Sequence, residues 1–538
     1  MNRNYIKIIF VILLFYIFFS GIGSYGLLSK DEPRYAGCAL EMIENHNWIV
    51  PKFNFQNRFD KPPLFYWLIA ISYKVFGINE FASRVPSATS AVLLVLFTWY
   101  AGNRIIGKNT GLLSAVILAT SIEYIALGRR AATDIVLCLF FTATLYSFYL
   151  YYNEKEERKK ILWAISSGIF EGLAILTKGP AGIILPSLVI GLFLIVRKEV
   201  NLKHLKVLSL ISFIAIALSL PWYIVVHLAT DGEFTRDFFI LHNVQRFTSV
   251  VGEHPGPVWF YFPVVLIGFM PWTFFLINAL LNLITRIRRL NFNKFILFCI
   301  LWSFIIFLFF TLSKTKLFTY ILLIFPSMAL ITGYWINIFG KRHFNKLKIS
   351  ILVLLSILIA GLLIGALILL PKLNLQELDK NILITRLYIS SVFIIIGSII
   401  LFITTKRHFS LIIFFIFIFS IPGIYILNPA IKASYMKSFY ELEKYSILAR
   451  EMGAKEIISY VGYKPILVYY GRMPVDFSSQ KKQLSKIQKQ LKESKNIFII
   501  VHESDVEKVK YKLFNNHQIH DRFKIVASGK KYALVKLN

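Results

Sequence analysis

Apolar stretches of membrane-crossing length recur along the 538-residue chain, separated by short polar breaks. About 20 apolar residues in a helix span the hydrocarbon of a bilayer. Thirteen segments meet that length to within several residues: 5–28, 82–102, 111–127, 132–152, 161–176, 179–196, 207–229, 257–283, 293–312, 317–337, 349–371, 385–404 and 410–428. Two longer loops interrupt the series, 29–81 and 230–256. Within the first, 41–48 and 64–76 have the amphipathic pattern of helices lying along an interface. After 428 the pattern changes. Runs at 457–461, 466–470, 497–501 and 532–537 are apolar or alternating over strand-like lengths, and a charged helical stretch at 481–495 lies between them. This predicts a polytopic α-helical membrane protein of about 13 transmembrane helices over 1–428, followed by a small soluble α/β domain over 429–538. No internal repeat is visible.

Composition sharpens that picture. The chain is 56% hydrophobic and 17% charged, against about 25% charged in a soluble domain. This excludes both a water-soluble globule and a disordered chain. The net charge of +31 would point to nucleic acid in a soluble protein, but here its distribution gives another reading and no nucleic-acid partner is expected. With a cytoplasmic N-terminus, the segments 1–7, 103–110, 153–160, 197–206, 284–294, 338–348 and 405–409 each carry two to four Lys or Arg. Together they hold only four acids, Glu154, Glu156, Glu157 and Glu199. That alternation follows the positive-inside rule and puts the C-terminal domain on the outer face. The basic, apolar N-terminus reads as a retained first helix rather than a cleaved signal. Cys38, Cys138 and Cys299 are too scattered for a disulfide framework or a thiolate zinc site. Walker A, GxSxG and HExxH patterns are absent.

The candidate chemistry lies in charges that break the topology rule. Very short outer turns carry Arg129 and Arg130, then Lys178, then Lys314 and Lys316; the larger outer loops add Arg34, Arg58, Lys61, Arg84 and Arg246. Ionisable groups near membrane depth are costly and mark functional sites. A convergence of cations at one face suits a lipid phosphate or pyrophosphate, although each could instead snorkel to outer-leaflet phosphates. Asp31 and Glu32 follow the first span beside Arg34, as base or cation-orienting candidates, or simply as acids favoured at a helix N-terminus. Asp60 adjoins Lys61, and Tyr66 follows in an interfacial aromatic run. Asp134 opens the fourth span. Asp60, Asp134 and His242 are the candidate ligands for a divalent metal ion, the one cofactor considered, in a spacing that matches no recognised motif.

These residues carry a family resemblance. Asp31-Glu32-Pro33-Arg34-Tyr35-Ala36, Lys61-Pro62-Pro63, Arg84-Val85-Pro86-Ser87-Ala88 and Thr133-Asp134 resemble the GT-C membrane glycosyltransferases that use polyprenyl-phosphate sugars, a group that includes the protein O-mannosyltransferases. Thr177-Lys178-Gly179-Pro180, the run from His242 to Phe247, and the turn from Ser313 to Tyr320 are most similar to the bacterial lipid A 4-amino-4-deoxy-L-arabinose transferases. The resemblance has motifs over residues 1 to about 330 and rests on architecture beyond.

The resemblance implies an inverting transfer from an undecaprenyl-phosphate-linked sugar donor to a lipid A phosphate, or another outer-leaflet acceptor, at the outer face of the bacterial inner membrane. It assigns Lys178 and Arg246 to the departing phosphate, with Arg34, Lys61 and Tyr320 in support. Asp31, or Glu32, would act as base for a hydroxyl acceptor. A phosphate acceptor is already anionic near neutral pH, and Asp31 would then position cations or bind the donor amine. Arg58, Tyr66, Arg84, Arg129, Arg130, Lys314 and Lys316 complete the expected substrate contacts. Three other readings stay open: a GT-C enzyme moving another lipid-linked sugar onto protein or glycan hydroxyls, a lipid flippase or transporter, and a structural or receptor membrane protein with a sensory outer domain, which gives no reason for cations in very short outer turns. The second expects charges through the midplane or inverted repeats, whereas these charges cluster at one face.

Overall fold

The computed structural model describes residues 3–249, 255–287, 293–342, 384–385, 392, 428–432, 434–492, 497–513 and 523–537. Six helices are long and apolar enough to cross a membrane: Glu80–Ile105, Thr133–Asn153, Glu157–Lys178, Leu202–Ala229, Lys294–Leu312 and Phe318–Phe339. Two bent pairs raise the count to as many as eight. The expected span 349–371 lies outside the described residues, as does nearly all of 385–404 and 410–428. The first expected span is a shorter helix, Arg3–Phe19.

Two expected continuous spans are broken. Residues 111–127 divide into Lys108–Ala119 and Ile122–Gly128, bent by 67°, and 257–283 divides into Val258–Gly268 and Thr273–Asn282, bent by 115°. Each break frees backbone groups that need partners in an apolar surrounding. The two breaks supply them to each other: Ile122 N–H donates to Met270 O at 3.1 Å, and Trp272 Nε1–H donates to Thr120 Oγ1 at 2.8 Å.

The chain packs as two compact units: residues 1–22, 59–68 and 84–430, and residues 23–58, 69–83 and 431–538. In the first, Glu157–Lys178 packs between Thr133–Asn153 and Leu202–Ala229. Gly168 and Gly172, one turn apart, permit that approach. A Cβ on Gly168 would meet Ile211 O at 2.9 Å, and one on Gly172 would meet Ala215 O at 3.0 Å. Small residues at this spacing let membrane helices touch backbone to backbone. Thr133–Asn153 is fixed from its other side by aromatic rings. Phe141 and Tyr146 lie 5.7 and 5.8 Å from Trp302, and Tyr149 lies 4.5 Å from Phe295.

The second unit holds a five-stranded sheet of order β4-β3-β5-β7-β6, from β3 (Ile457–Ser459), β4 (Val475–Asp476), β5 (Ile497–His502), β6 (Phe523–Ser528) and β7 (Tyr532–Leu537). β3 is parallel to β4 and β5; β7 is antiparallel to β5 and β6. Ile458, Ile499, Val501 and Val535 pack against Ile487, Val506, Val509 and Leu513 of the two covering helices, Gln480–Lys492 and Val506–Leu513. The run 466–470, read as a strand, is instead the helix Ile466–Gly471. Pro465, at φ −54°, starts it; a proline has no N–H to lose at a helix start. Of the first loop, residues 29–58 and 69–81 belong to this unit, and 59–68 to the first. The helix Asp31–Glu44 is followed by a small hairpin of β1 (Lys52–Phe53) and β2 (Gln56–Asn57). The stretch 64–76 is a helix, as its amphipathic pattern predicts.

Glu41 ties that helix to the hairpin by accepting from Phe55 N–H at 3.2 Å. Burial pushes its carboxyl up to about 7. A carboxyl whose folded pKa exceeds its unfolded value stabilises the fold below the unfolded pKa, and that contribution is lost as pH rises through the folded one. The stability of this unit should therefore fall by ~1–3 kcal/mol between about pH 4.5 and 7. Glu41→Gln should flatten the dependence in thermal unfolding at pH 5 and pH 8.

Candidate active site

In the first unit a cavity of about 420 Å³ is lined by Asp60, Lys61, Asp134, Lys178, Thr319 and Tyr320 together with an apolar wall. That wall includes Leu137, Ile184, Phe238, Phe239, Phe309 and Phe310. Two ammonium groups, two carboxylates and a phenol thus share one space with rings and aliphatic chains.

Local sequence explains the placement. Lys178 is the last residue of its helix, and Gly179 follows at φ +70°, a conformation that favours glycine. The Lys-Gly-Pro corner therefore ends one helix, reverses the chain and leaves the lysine at the turn. Lys178 Nζ lies 2.5 Å from Asp134 Oδ1 and 4.5 Å from the centre of the Tyr320 ring. Asp134 sits in the first turn of Thr133–Asn153, where a carboxylate meets unpaired N–H groups and the positive end of the helix dipole. Lys61 is nearly buried, and its ammonium donates to Asp60 O at 2.9 Å. Tyr66 is fully buried, with its hydroxyl 3.4 Å from Asp60 Oδ1.

The other expected cations go elsewhere. Arg84 is buried and donates to Ile22 O at 2.5 Å. Arg129 is buried and donates to Ile17 O, to Ser20 O at 2.6 Å and to Asn428 Oδ1 at 2.5 Å. Arg129 meets carbonyls at the C-terminal end of the first helix, where unpaired C=O groups and the dipole favour a cation, and Arg84 meets one in the turn that follows it. Neither lines the cavity, contrary to the expectation of substrate contact. Lys316 is likewise buried, donating to Phe310 O at 3.1 Å and Thr311 O at 2.5 Å at the end of Lys294–Leu312. Lys314 is exposed and Arg130 half-buried, and the cavity wall includes neither.

Four expected site residues belong to the second unit. Asp31 pairs with Arg34 in the first turn of their helix. Glu32 is buried and accepts from Leu28 N–H at 2.6 Å, which ties the chain entering the helix to its first turn. Arg58 covers the rings of Tyr35 and Phe53 at 5.8 and 5.6 Å. Arg246 lies on the short helix Gln245–Thr248, after a π-helical stretch, Asp237–Val244, that carries Phe238, Phe239 and His242. The side chains of Arg246 and His242 are outside the described residues.

Among the described residues no three His, Cys, Asp or Glu side chains gather as a metal set. Asp60 and Asp134 share the cavity, but two lysines accompany them and one ammonium already meets Asp134. That donor set does not fit a divalent ion. Sequence reasoning missed the cavity's phenylalanines and Thr319. The sole signal for Phe238 and Phe239 was their place in the second long loop, and aromatic residues are too common in this chain to single out.

The fold is that of known enzymes. The crystal structure of ArnT from Cupriavidus metallidurans bound to undecaprenyl phosphate superposes at a TM-score of 0.82 with 20% identity, covering 99% of this chain and 98% of that one. The Archaeoglobus fulgidus oligosaccharyltransferase gives 0.57 with 13% identity, over 95% and 70%. A family model described as dolichyl-phosphate-mannose-protein mannosyltransferase matches residues 60–224. An uncharacterized protein of Aquifex aeolicus is 31% identical over 365 residues, 68% of this chain and 69% of that one. The chain belongs to the GT-C membrane glycosyltransferase family. Among its GT-C relatives, the undecaprenyl phosphate-alpha-4-amino-4-deoxy-L-arabinose arabinosyl transferase of Pectobacterium atrosepticum is 32% identical over 63% of this chain and 60% of its own length. An enzyme of the same name from Proteus mirabilis is 31% identical over 65% and 62%. The alignment thus spans somewhat less than two thirds of the named relatives.

The Asp134–Lys178 pair is mostly buried, with side-chain exposures of 17% and 15%. Removing one partner leaves the other charge uncompensated. Lys178→Met or Asp134→Asn alone should destabilise the first unit by about 3 kcal/mol, and the double variant by clearly less than the sum, as read in denaturant unfolding.

Proposed function

We propose that this chain transfers a sugar from a polyprenyl-phosphate donor to an outer-leaflet acceptor, with undecaprenyl-phosphate-linked 4-amino-4-deoxy-L-arabinose as donor and a lipid A phosphate as acceptor. The observation that carries the reading is the shared cavity of Lys61, Lys178, Tyr320 and a phenylalanine wall. It combines groups for a phosphate with a surface for a prenyl chain, on a fold shared with a protein crystallised with undecaprenyl phosphate.

In the proposed step an acceptor oxygen attacks the anomeric carbon from the face opposite the phosphate. The new C–O bond forms as the bond to the phosphate oxygen breaks, and the polyprenyl phosphate leaves with the electron pair, inverting the configuration. Negative charge grows on the leaving oxygen. Lys61 and Lys178 are held ready for it, which favours the transition state because no reorganisation is needed as charge develops. Asp134 orients Lys178, the Tyr320 ring bounds its ammonium, and Arg246 is assigned to the same phosphate from its motif. A phosphate acceptor needs no strong base, so Asp31 serves in positioning through Arg34. Tyr66 borders the cavity through its contact with Asp60, and Arg58 is assigned to the substrate from the outer-loop charge pattern alone. The proposed topology has the N-terminus cytoplasmic, residues 1–428 in the inner membrane and residues 429–538 outside, so the reaction occurs on the nucleotide-free face.

Mass spectrometry of lipid A tests this in a Gram-negative host that lacks its own aminoarabinose transferase but still makes the donor. Expression of this chain should restore phosphate-linked aminoarabinose. Lys61→Ala or Lys178→Ala, at equal expression, should lower it at least ~100-fold, the scale of losing one preorganised donor. Sugar found on protein or glycan hydroxyls, with lipid A unmodified, would select the related GT-C activity instead.

A further inference from the structure

The second unit contains a cavity of its own, about 550 Å³, lined by Asn54 and Gln56 of the hairpin and by Glu456, Tyr463, Asp476, Phe477, Ser478 and Lys486 around the edge of the sheet. Its polar floor is rigid. β4 is the edge strand, and the side chain of Asn54 completes it: Asn54 Nδ2 donates to Val475 O at 2.9 Å, and Val475 N–H donates to Asn54 Oδ1 at 2.8 Å. Lys486 Nζ bridges Glu456 at 2.5 Å and Asp476 at 3.2 Å. Ser478 N–H donates to Asp476 Oδ1 at 2.8 Å. The two carboxylates, the ammonium and the Asn54 amide are thus held in place by one another and by the backbone.

Three further observations point to a ligand. Tyr463 follows β3 and Phe477 follows β4, so the rings stand beyond the carboxyl ends of two adjacent parallel strands, where open α/β sheets take ligands. They meet edge to face at 4.9 Å, and Tyr463 is 40% exposed. Second, the hairpin tip is strained. Asn54 and Phe55 both have positive φ, 59° and 62°, in a two-residue turn that ordinarily takes glycine at its second position. Phe55 leaves its ring 46% exposed, so ring burial does not offset that conformation. Strain of this kind clusters at ligand clamps. Third, the wall has two carboxylates against one ammonium, a net negative charge on a chain whose total is +31. This disfavours a phosphate and favours a cationic group.

We propose that this cleft binds an amine-bearing saccharide. The aromatic pair offers a face for the sugar's C–H groups, Gln56 and Ser478 bond its hydroxyls, and the Glu456–Asp476 carboxylates attract its ammonium. The cleft lies wholly within the second unit and needs nothing of the membrane cavity, so it stands or falls apart from the transferase reading.

Saturation-transfer NMR on the full-length protein in nanodiscs, with D-glucosamine, D-glucose and inorganic phosphate as probes, tests it. Glucosamine should bind saturably and several-fold tighter than glucose, and phosphate should not compete. Tyr463→Ala should weaken both sugars at least ten-fold, while Tyr463→Phe retains them. Glu456→Gln should bring the glucosamine-to-glucose ratio close to one, and Lys61→Ala, although it disables the membrane cavity, should leave both sugar affinities as they are. Absence of saturable glucosamine binding, full binding by Tyr463→Ala, or loss of binding in Lys61→Ala would overturn the proposal.

Discussion

A charge inside an apolar bundle must meet an opposite charge or a dipole, and that constraint organises the membrane unit of this protein. Arg84 and Arg129 satisfy it on carbonyls at and just beyond the end of the first helix. Lys316 satisfies it on carbonyls at the end of another. Lys178 satisfies it on Asp134. The first three are committed to the scaffold. The fourth pair borders a cavity, where a cation already desolvated and oriented can still reach a ligand. The difference between a structural and a chemical cation thus rests on what its partner is and whether open space adjoins it.

The same constraint explains why some of the site was legible in the sequence and some was not. Arg84, Arg129 and Lys178 all break the charge rule of outer loops in the same way, and spacing gave no means of separating them. The carbonyls that bind the two arginines lie 62 and 112 residues away in sequence. Lys178 was better marked, because a lysine before Gly-Pro at a helix end has few conformations. Asp134 was visible as an acid beginning an apolar span, and its pairing with Lys178 emerges once their two helices pack against each other.

Fold legibility followed periodicity. Among the described residues the long apolar segments are helical, and 64–76 is the helix its pattern predicts. The breaks at Thr120 and near Met270 were hidden because bent and straight spans have the same hydropathy, and only reciprocal hydrogen bonding makes a break tolerable. In the second unit, the apolar run 466–470 looked like a strand because burial on all sides erases the difference between periods of 2 and 3.6. The assembly of the first loop with the final hundred residues was beyond any local pattern. Asn54 pairs with the backbone of Val475, 421 positions away, and an asparagine in a turn carries no sign of such a partner.

The central claim is that the Lys61–Lys178 cavity holds a polyprenyl phosphate. Native mass spectrometry of the detergent-solubilised protein with undecaprenyl phosphate tests it most directly. The account predicts a one-to-one adduct on the wild-type chain that is lost in a folded Lys61→Ala, Lys178→Ala double variant and not reproduced by undecaprenol. Equal binding by the double variant, or equal binding of the uncharged lipid, would contradict it.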